Sequence, residues 1–273
     1  MQHVDRLIAE FAGYGRTLVA FSGGVDSSVV LAGAVRALGT ADVAAVTAVS
    51  PAVPAAEIAA ARAFCADLGV AHIQARTDEL AVAGYRENGP TRCYFCKSTL
   101  LDTALAVAAE RGFAAVATGT NASDVAAGFR PGIRAAAERG ARTPLADAGL
   151  DKAAVRDLAL HWGLSTWDKP AAACLSSRIA YGVGITPHRL ARVERAEAAA
   201  RKVLGAHDLR VRDLGDRVRL EVDAHLVAAA KADAAVHAAI ATAGFAGAEL
   251  TVEPFRSGAM NELLPDREKW RHA

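Results

Sequence analysis

Residues 22–28 combine glycine, hydroxyl and carboxylate groups in the order Ser-Gly-Gly-Val-Asp-Ser-Ser, between two apolar runs. The first run predicts a strand and the second a helix, so the glycines lie in the turn between them. Glycine lets the backbone approach a ligand, and a helix start offers unpaired N–H groups and a positive dipole end to an anion. We therefore predict a phosphate-binding turn, with hydroxyl donors from Ser22 and Ser27 and with Asp26 as a candidate magnesium ligand.

The spelling of this turn excludes two common phosphate-binding motifs. The chain contains no G-x-x-x-x-G-K-[ST] run, in which a lysine reaches the β and γ phosphates, and no G-x-G-x-x-G run, which is typical of dinucleotide binding. An ordinary Gly-Gly turn between a strand and a helix is the alternative. The complete seven-residue pattern and its apolar flanks favour phosphate binding.

Three of the four cysteines lie where metal or redox chemistry is plausible. Cys93 and Cys96 form a C-x-x-C pair at the start of a predicted helix, where the positive charges of Arg92 and Lys97 favour thiolates. Such a pair alone is compatible with a zinc site, a redox dithiol or an iron–sulfur site. Cys174, in a segment of small residues, is the third candidate ligand.

The remaining cysteine and the histidines point away from other metal chemistry. Cys65 lies within an alanine-rich helical stretch and is expected in the core. Structural disulfides are not expected, because we predict a reducing, cytoplasmic location. The eight histidines form no H-x-x-x-H or H-E-x-x-H pattern, so a mononuclear metal hydrolase has no support.

The motifs, taken in chain order, resemble those of the LarE family of ATP-dependent sulfur transferases in nickel-pincer nucleotide biosynthesis. This family belongs to the PP-loop ATP pyrophosphatase superfamily. The matching segments, which span nearly the whole chain, are S-G-G-V-D-S-S at 22–28, R-C-Y-F-C-K at 92–97, G-T-N-A-S-D at 119–124, A-C-L-S-S-R-I at 173–179 and R-S-G-A-M-N-E at 256–262. The order and spacing of these motifs are more specific than any one of them.

The resemblance implies a two-step reaction and a set of site residues. A carboxylate of pyridinium-3,5-dicarboxylate mononucleotide attacks the α-phosphate of ATP, pyrophosphate leaves, and sulfur then displaces AMP to give a thiocarboxylate. The implied ATP-binding residues are Ser22, Gly23, Gly24, Asp26, Ser27, Thr120 and Asp124, with Asp26 holding Mg²⁺ and Lys152 facing the phosphates. The implied substrate-binding residues are Ser177, Arg178, Glu194, Arg217, Arg219, Arg256 and Ser257, with Asn261 beside them.

Several of these residues also have ordinary structural interpretations. Asp124 follows a predicted strand, where an aspartate often caps the next helix. Arg178 could be a solvated arginine, and the cluster near Arg256 could be a loop with a salt bridge. Arg217 and Arg219 alternate with apolar residues, as on the wet face of a hairpin.

The resemblance implies two sources for the sulfur. Relatives with only the cysteine matching Cys174 sacrifice its side chain and are left with dehydroalanine. Relatives with cysteines matching Cys93, Cys96 and Cys174 hold a [4Fe–4S] cluster, whose fourth iron carries an extra sulfide. This chain has all three cysteines, which favours the catalytic cluster, with a sulfide or another sulfur donor needed for reloading.

The charge and the apolar runs of the chain limit the kinds of partner that it is expected to bind. With 31 basic and 30 acidic side chains the formal charge is +1, so neither a broad nucleic-acid surface nor a membrane-coating tail is expected. The N-terminus lacks a basic stretch followed by a long apolar run, and no other run is long enough to cross a membrane. The family's hexamers make a homo-oligomer the expected assembly.

Three alternative functions stay open: a tRNA sulfurtransferase of the same superfamily, an amide-forming synthetase that uses ammonia, and a non-enzymatic nucleotide sensor.

The elements that must position these residues follow an alternating pattern. Strand-like runs at 17–21, 42–49, 71–76 and 114–118 alternate with helical stretches near 26–38, 54–69 and 96–111. This alternation predicts an α/β fold with a parallel sheet, and the resemblance implies a PP-loop (adenine nucleotide alpha hydrolase-like) domain over 1–185. A helix at 187–204, a hairpin at 209–222, a helix at 224–243 and a strand at 248–252 predict a smaller C-terminal α+β domain over 186–273.

Overall fold

The computed structural model describes residues 2–127, 130–170, 174–256 and 259–260. These residues form two compact units. The first contains 2–79, 93–127 and 130–170, and the second contains 80–92, 174–256 and 259–260. These units differ from the predicted ranges 1–185 and 186–273 in two places, because the segments 80–92 and 174–185 both belong with the C-terminal residues.

The strands lie close to the predicted runs. They are β1 (Thr17–Ala20), β2 (Val43–Val49), β3 (Ala71–Arg76), β4 (Ala115–Ala117), β5 (Leu209–Asp213), β6 (Arg217–Val222) and β7 (Glu249–Pro254). The α-helices are α1 (Gln2–Phe11), α2 (Val25–Leu38), α3 (Ala55–Asp67), α4 (Ala83–Arg86), α5 (Arg92–Arg111), α6 (Ala122–Ala126), α7 (Pro131–Glu138), α8 (Pro144–Asp147), α9 (Lys152–His161), α10 (Pro187–Leu204), α11 (Val227–Ala232) and α12 (Ala234–Ile240).

The first unit is built on a four-stranded sheet in the order β3-β2-β1-β4, in which every pair is parallel. The central strand β1 is buried along its whole length, because helices cover both faces of the sheet. Leu18 packs with Leu101 of α5 on one face, whereas Val19 packs with Val29 of α2 on the other. The predicted α/β fold with a parallel sheet is confirmed, and the carboxyl ends of β1 and β4 meet at one edge.

The second unit is built on a three-stranded sheet in the order β5-β6-β7. The predicted hairpin is present: β5 and β6 are antiparallel, and the turn between them contains Gly215 with φ 101°. The last strand, β7, pairs in parallel with β6. Helix α10 packs through buried Leu190, Val193 and Ala196.

The predicted single helix over 224–243 is wrong. The chain bends by 87° between Ala224–Ala232 and Ala234–Phe245. The break lies at Asp233, whose carboxylate accepts a hydrogen bond from the backbone N–H of Ala235 and so starts a new helix. Among the described residues, no single helix has the length and hydropathy of a membrane span; this bent pair passes that test only when its two pieces are joined.

Candidate functional site

The glycine turn lies between β1 and α2, as the sequence predicts. Gly23 has φ 73°, a left-handed conformation that glycine adopts without strain, and Gly24 is the N-cap residue of α2. Ser27 is buried, and its hydroxyl accepts from the Ser22 backbone N–H at 3.3 Å and donates to the Gly24 carbonyl at 3.0 Å. These two hydrogen bonds of the Ser27 hydroxyl stabilise the turn, while the Ser22 side chain stays exposed.

Asp26 lies in the first turn of α2 and binds two side chains from other elements. Its Oδ1 accepts from the amide of Asn121 at 2.9 Å, and its Oδ2 pairs with the ammonium of Lys152 at the start of α9. Asn121 is buried, so its orientation is fixed. Three segments distant in sequence thus meet at one carboxylate. This carboxylate, together with ligand phosphates and water, is a donor set that suits Mg²⁺.

Gly119 allows the segment after β4 to lie against the start of α2. A Cβ added at this position would lie 2.8 Å from the backbone nitrogen of Ser27 and 3.1 Å from the carbonyl carbon of Asp26. Real side chains do not tolerate such distances to backbone atoms. Glycine is therefore required here by packing, although its φ is unremarkable.

Lys169 also holds the glycine turn. Its ammonium donates to the Gly23 carbonyl at 3.0 Å and to Glu57 of α3 at 2.7 Å. The backbone around Lys169 is itself fixed, because Arg156 of α9 donates to the carbonyls of Trp167 and Lys169. Neither Lys169 nor Glu57 was a sequence-predicted site residue.

Thr120 and Asp124 lie in the same segment as Asn121, which binds Asp26. The carboxylate of Asp124 and the side chain of Asn121 form a reciprocal capping box at the start of α6, and Arg130 lies 3.5 Å from Asp124. The structure therefore gives Asp124 the structural role named above as its alternative, and its ATP-binding role stays a prediction. Thr120 is half-buried, with its hydroxyl 3.4 Å from that of Thr118.

All four cysteines lie within the described ranges and are present as thiols. Cys93 is exposed and Cys96 is half-buried, both near the start of α5, and this helix begins four residues earlier than predicted. Residues three apart share a helix face, so the two thiols can serve one ligand. Burial lowers the pKa of the neighbouring Lys97 below its ordinary value, and the charge of Cys96 offsets only part of this effect.

Cys65, a residue of α3, is buried in the core, as predicted. Burial raises the pKa of its thiol to about 11. A thiol with this pKa is almost wholly protonated at neutral pH, so Cys65 is a packing residue.

Cys174 directly precedes a 3₁₀ helix, Leu175–Arg178, in the second unit. Its thiol is half-buried, and its carbonyl oxygen accepts from the hydroxyl of Ser177 at 2.7 Å and from the guanidinium of Arg178 at 3.1 Å. The two predicted substrate-binding residues therefore hold the cysteine's own backbone. Whether they also bind substrate stays a prediction.

Arg178 is a buried arginine rather than a solvated one. Only 4% of it is exposed, and its Nε donates to Glu197 of α10 at 2.9 Å. Glu197 also accepts from the backbone N–H of Val211 in β5 at 3.1 Å. Arg212 reaches the same segment by donating to the Ser177 carbonyl at 3.3 Å and is itself paired with Glu221 at 2.7 Å.

The other predicted substrate-binding residues are spread over the second unit. Glu194 is half-buried on α10, and Arg217 is exposed at the start of β6. Arg219 is not on a wet face, because its side chain is 13% exposed and pairs with Glu221 and Glu253. Arg256 follows β7 and is exposed. Ser257 and Asn261 lie outside the described residues.

The residues that sequence reasoning missed share one property: each acts through a partner far away in the chain. Gly119, Lys169, Glu57, Glu197 and Arg212 belong to this group. Gly119 begins the quoted G-T-N-A-S-D motif, which was a usable signal. The others have no local sequence signature, because an isolated lysine, arginine or glutamate is typical of a surface residue.

Comparisons with known proteins cover nearly the whole chain. Residues 5–128 match the family described as NAD synthase. An uncharacterized protein of Synechocystis sp. is 40% identical over 264 residues, which are 96% of this chain and 97% of that protein. The pyridinium-3,5-bisthiocarboxylic acid mononucleotide synthase of Lactiplantibacillus plantarum is 36% identical over 260 residues, which are 94% of this chain and 93% of the relative.

Proposed function

Because this chain belongs to the LarE family, we propose that it is an ATP-dependent sulfur transferase acting on pyridinium-3,5-dicarboxylate mononucleotide. A substrate carboxylate attacks the α-phosphorus of ATP, the α–β phosphoanhydride bond breaks, and pyrophosphate leaves. A sulfur nucleophile then attacks the acyl carbon, and AMP leaves with the bonding electron pair. A carboxylate is a poor electrophile at neutral pH, so adenylation supplies the leaving group that the second step needs.

One observation carries the first step: the glycine turn, Asp26, Asn121 and Lys152 converge in the first unit. The N–H groups at the start of α2 stabilise negative charge that develops on the phosphates. Mg²⁺, held by Asp26, would neutralise phosphate charge. When ATP arrives, the Lys152 ammonium can exchange its bond with Asp26 for one with a phosphate oxygen.

The sulfur step is proposed from the three cysteines. Cys93, Cys96 and Cys174 would hold a [4Fe–4S] cluster, which would supply a sulfide as the nucleophile. The donor set suits the cluster, since all three residues are thiols and two of them share one turn of α5. A three-cysteine ligand set leaves one iron open for that sulfide. Reloading requires sulfide or another sulfur donor.

Sacrifice of Cys174 is the alternative source. Its thiolate would displace AMP to form a thioester with the substrate. Loss of the Cα proton and cleavage of the Cβ–Sγ bond would then release the thiocarboxylate and leave dehydroalanine. The protein would lose one H₂S equivalent, so a mass measurement on Cys174 separates the two routes.

The proposed activity is tested by pyrophosphate release with two acceptors, the pyridinium dicarboxylate mononucleotide and bulk tRNA. We expect release with the mononucleotide. Release that depends on tRNA instead would replace this function by tRNA thiolation. Amide formation that depends on ammonia would indicate a synthetase, and ATP binding without pyrophosphate release would indicate a sensor.

We also propose that the protein is cytoplasmic and forms a homo-oligomer, a hexamer as in the family.

The cluster is tested separately. Anaerobically reconstituted protein should be brown and hold about four irons per chain. The double variant Cys93→Ala/Cys96→Ala should lose iron and sulfur transfer, whereas Cys65→Ala should keep both. If the wild-type protein is colourless and its Cys174 is converted to dehydroalanine after one turnover, the sacrificial route is established.

A further inference from the structure

The segment 80–92 is separated in sequence from the rest of the second unit, and its last residues form a buried polar cluster with the chain that follows Cys174. This cluster, called here the Asn88 clamp, consists of Tyr85, Asn88 and Arg92. Tyr85 and Asn88 are at most 1% exposed, and Arg92 is 4% exposed. None of the three belongs to the residues assigned above to ATP or substrate.

Asn88 fixes the course of the chain over 179–183. Its amide nitrogen donates to the carbonyls of Ile179, Ala180 and Val183 at 3.2, 2.8 and 2.9 Å. Its backbone carbonyl accepts from the N–H of Gly182 at 3.2 Å. One buried side chain thus adds to the backbone hydrogen bonds that this irregular segment makes.

Arg92 and Tyr85 extend the clamp towards Cys174. Arg92 donates to the side-chain oxygen of Asn88 at 2.7 Å and to the carbonyl of Ser176 at 2.9 Å. This bond fixes the orientation of the Asn88 amide, because its oxygen must face the guanidinium. The hydroxyl of Tyr85 contacts the hydroxyl of Ser176, which is fully buried.

The clamp binds the short helix after Cys174 at Ser176 and at the C-cap residue Ile179. Ser176 is fixed through its hydroxyl and carbonyl, Ile179 is fixed through its carbonyl, and the intervening Ser177 and Arg178 bind the Cys174 carbonyl. The backbone of Cys174 is therefore anchored to side chains from 85–92. Arg92 is also the first residue of α5, so the clamp adjoins the C-x-x-C pair in the chain.

We propose that Asn88, supported by Arg92 and Tyr85, is a positioning residue that sets the place of the Cys174 thiol for sulfur delivery. It touches neither ATP nor the reacting atoms and acts through the backbone of 176–183. Its catalytic consequence rests on the proposed function, whereas the placement of Cys174 is testable without it.

Three variants isolate the clamp. Asn88→Gly keeps the left-handed backbone at φ 56° and removes the amide. Asn88→Asp keeps the size and the acceptor for Arg92 but presents a carboxylate to three carbonyl oxygens. Tyr85→Phe removes only the hydroxyl at Ser176, and the exposed neighbour Glu87 supplies the matched control Glu87→Gln.

The structural readout is alkylation of Cys174 by iodoacetamide in the full chain after iron removal, followed by peptide mass spectrometry with Cys93 as internal reference. We expect the Asn88 variants to change the Cys174 rate several-fold relative to Cys93, and Glu87→Gln to leave the ratio unchanged. The catalytic readout compares pyrophosphate release with thiocarboxylate formation. Misplacement of a reacting group costs about 10-fold to 100-fold, so thiocarboxylate formation should fall by that factor while pyrophosphate release stays near wild type.

The outcomes separate the two proposals. An unchanged Cys174 to Cys93 ratio in Asn88→Gly and Asn88→Asp overturns the clamp, as does an equal loss of both reaction steps. Wild-type protein that never releases pyrophosphate contradicts the proposed function, while the alkylation ratio still decides on the clamp. If the Asn88 variants do not fold, Tyr85→Phe decides: it should show a smaller change in the same direction, and an unchanged ratio contradicts the clamp.

Discussion

The ammonium of Lys169 donates a hydrogen bond to the carbonyl of Gly23 at 3.0 Å, although 146 residues separate the two in sequence. Gly23 is in the left-handed conformation, so this bond fixes the peptide group at the point where the chain reverses. Glu57 shares the same ammonium at 2.7 Å. The glycine turn, which we propose binds the phosphates, is thus held by a lysine that is also paired with Glu57.

Removing this lysine should impair the adenylation step. We expect Lys169→Met to lower pyrophosphate release about tenfold or more, because the glycine turn loses its fixed orientation. Steady-state pyrophosphate assays over a range of ATP concentrations will measure the loss. Glu57→Gln should have a smaller effect, and Lys202→Met, at an exposed position on α10, serves as the control. Wild-type kinetics in Lys169→Met would show that the bond is dispensable.

Adding one methyl group at Gly119 should disturb the start of α2. The new Cβ would lie 2.8 Å from the Ser27 nitrogen, so backbone must move. Overpacking of this kind costs about 1–3 kcal/mol. We expect Gly119→Ala to weaken ATP binding in calorimetry and to lower the free energy of unfolding by that amount. Gly13→Ala is the matched control, because nothing lies within 4 Å of its added Cβ.

The cysteines should react with iodoacetamide in a defined order when iron is absent. The thiolate is the reactive form, and burial raises the Cys65 pKa to about 11, so Cys65 should stay unmodified in native protein at pH 7.5. Exposed Cys93 should be modified far sooner. Peptide mass spectrometry at timed intervals gives both rates. Rapid native labelling of Cys65 would contradict its place in the core.

His72 should make the stability of the protein depend on pH. Thr47 donates its only hydroxyl proton to the Phe21 carbonyl, so it must accept from Nε2 of His72 at 2.8 Å. Nδ1 is buried without a partner among the described residues. Burial, followed by the charge of Arg62, lowers the pKa of His72.

The sign of the dependence follows from that lowered pKa. As pH falls below the ordinary histidine value of 6.5, the unfolded chain binds a proton that the folded chain resists, so stability decreases. Urea unfolding at pH 7.5 and 5.5 should show this loss, and His72→Gln should reduce the slope. Arg62→Gln should also reduce it, since the repelling charge is gone. Equal slopes in wild type and His72→Gln would contradict the assignment.

Local pattern was sufficient for the parts of this protein that depend on neighbouring residues. The parallel strands, the glycine turn and the hairpin at Gly215 all follow from short-range hydrophobicity and turn chemistry. The helix over 224–243 was predicted wrongly, because alanine favours helix at nearly every position and hides the break. Asp233 was the available signal, since aspartate is a helix-starting residue.

The supports of the candidate site were beyond local reasoning. Lys169 contacts Gly23, and Asn88 contacts 179–183, only after the whole chain has folded. The Asn-Gly-Pro sequence at 88–90 does indicate a turn and a left-handed residue. It does not indicate which carbonyls the asparagine will bind, because that choice depends on the packing of segments 91 and 92 positions apart.

Gly24 occupies the N-cap position of α2, where most helices carry a side chain that caps the first N–H groups. Glycine has no such group, and the hydroxyls of Ser27 and Ser28 turn back to the Gly24 carbonyl. An anionic ligand would therefore serve as the missing cap. On this account, nucleotide binding and completion of the first helical turn are a single event, and amide hydrogen exchange at Val25 and Asp26 would slow as ATP fills its place.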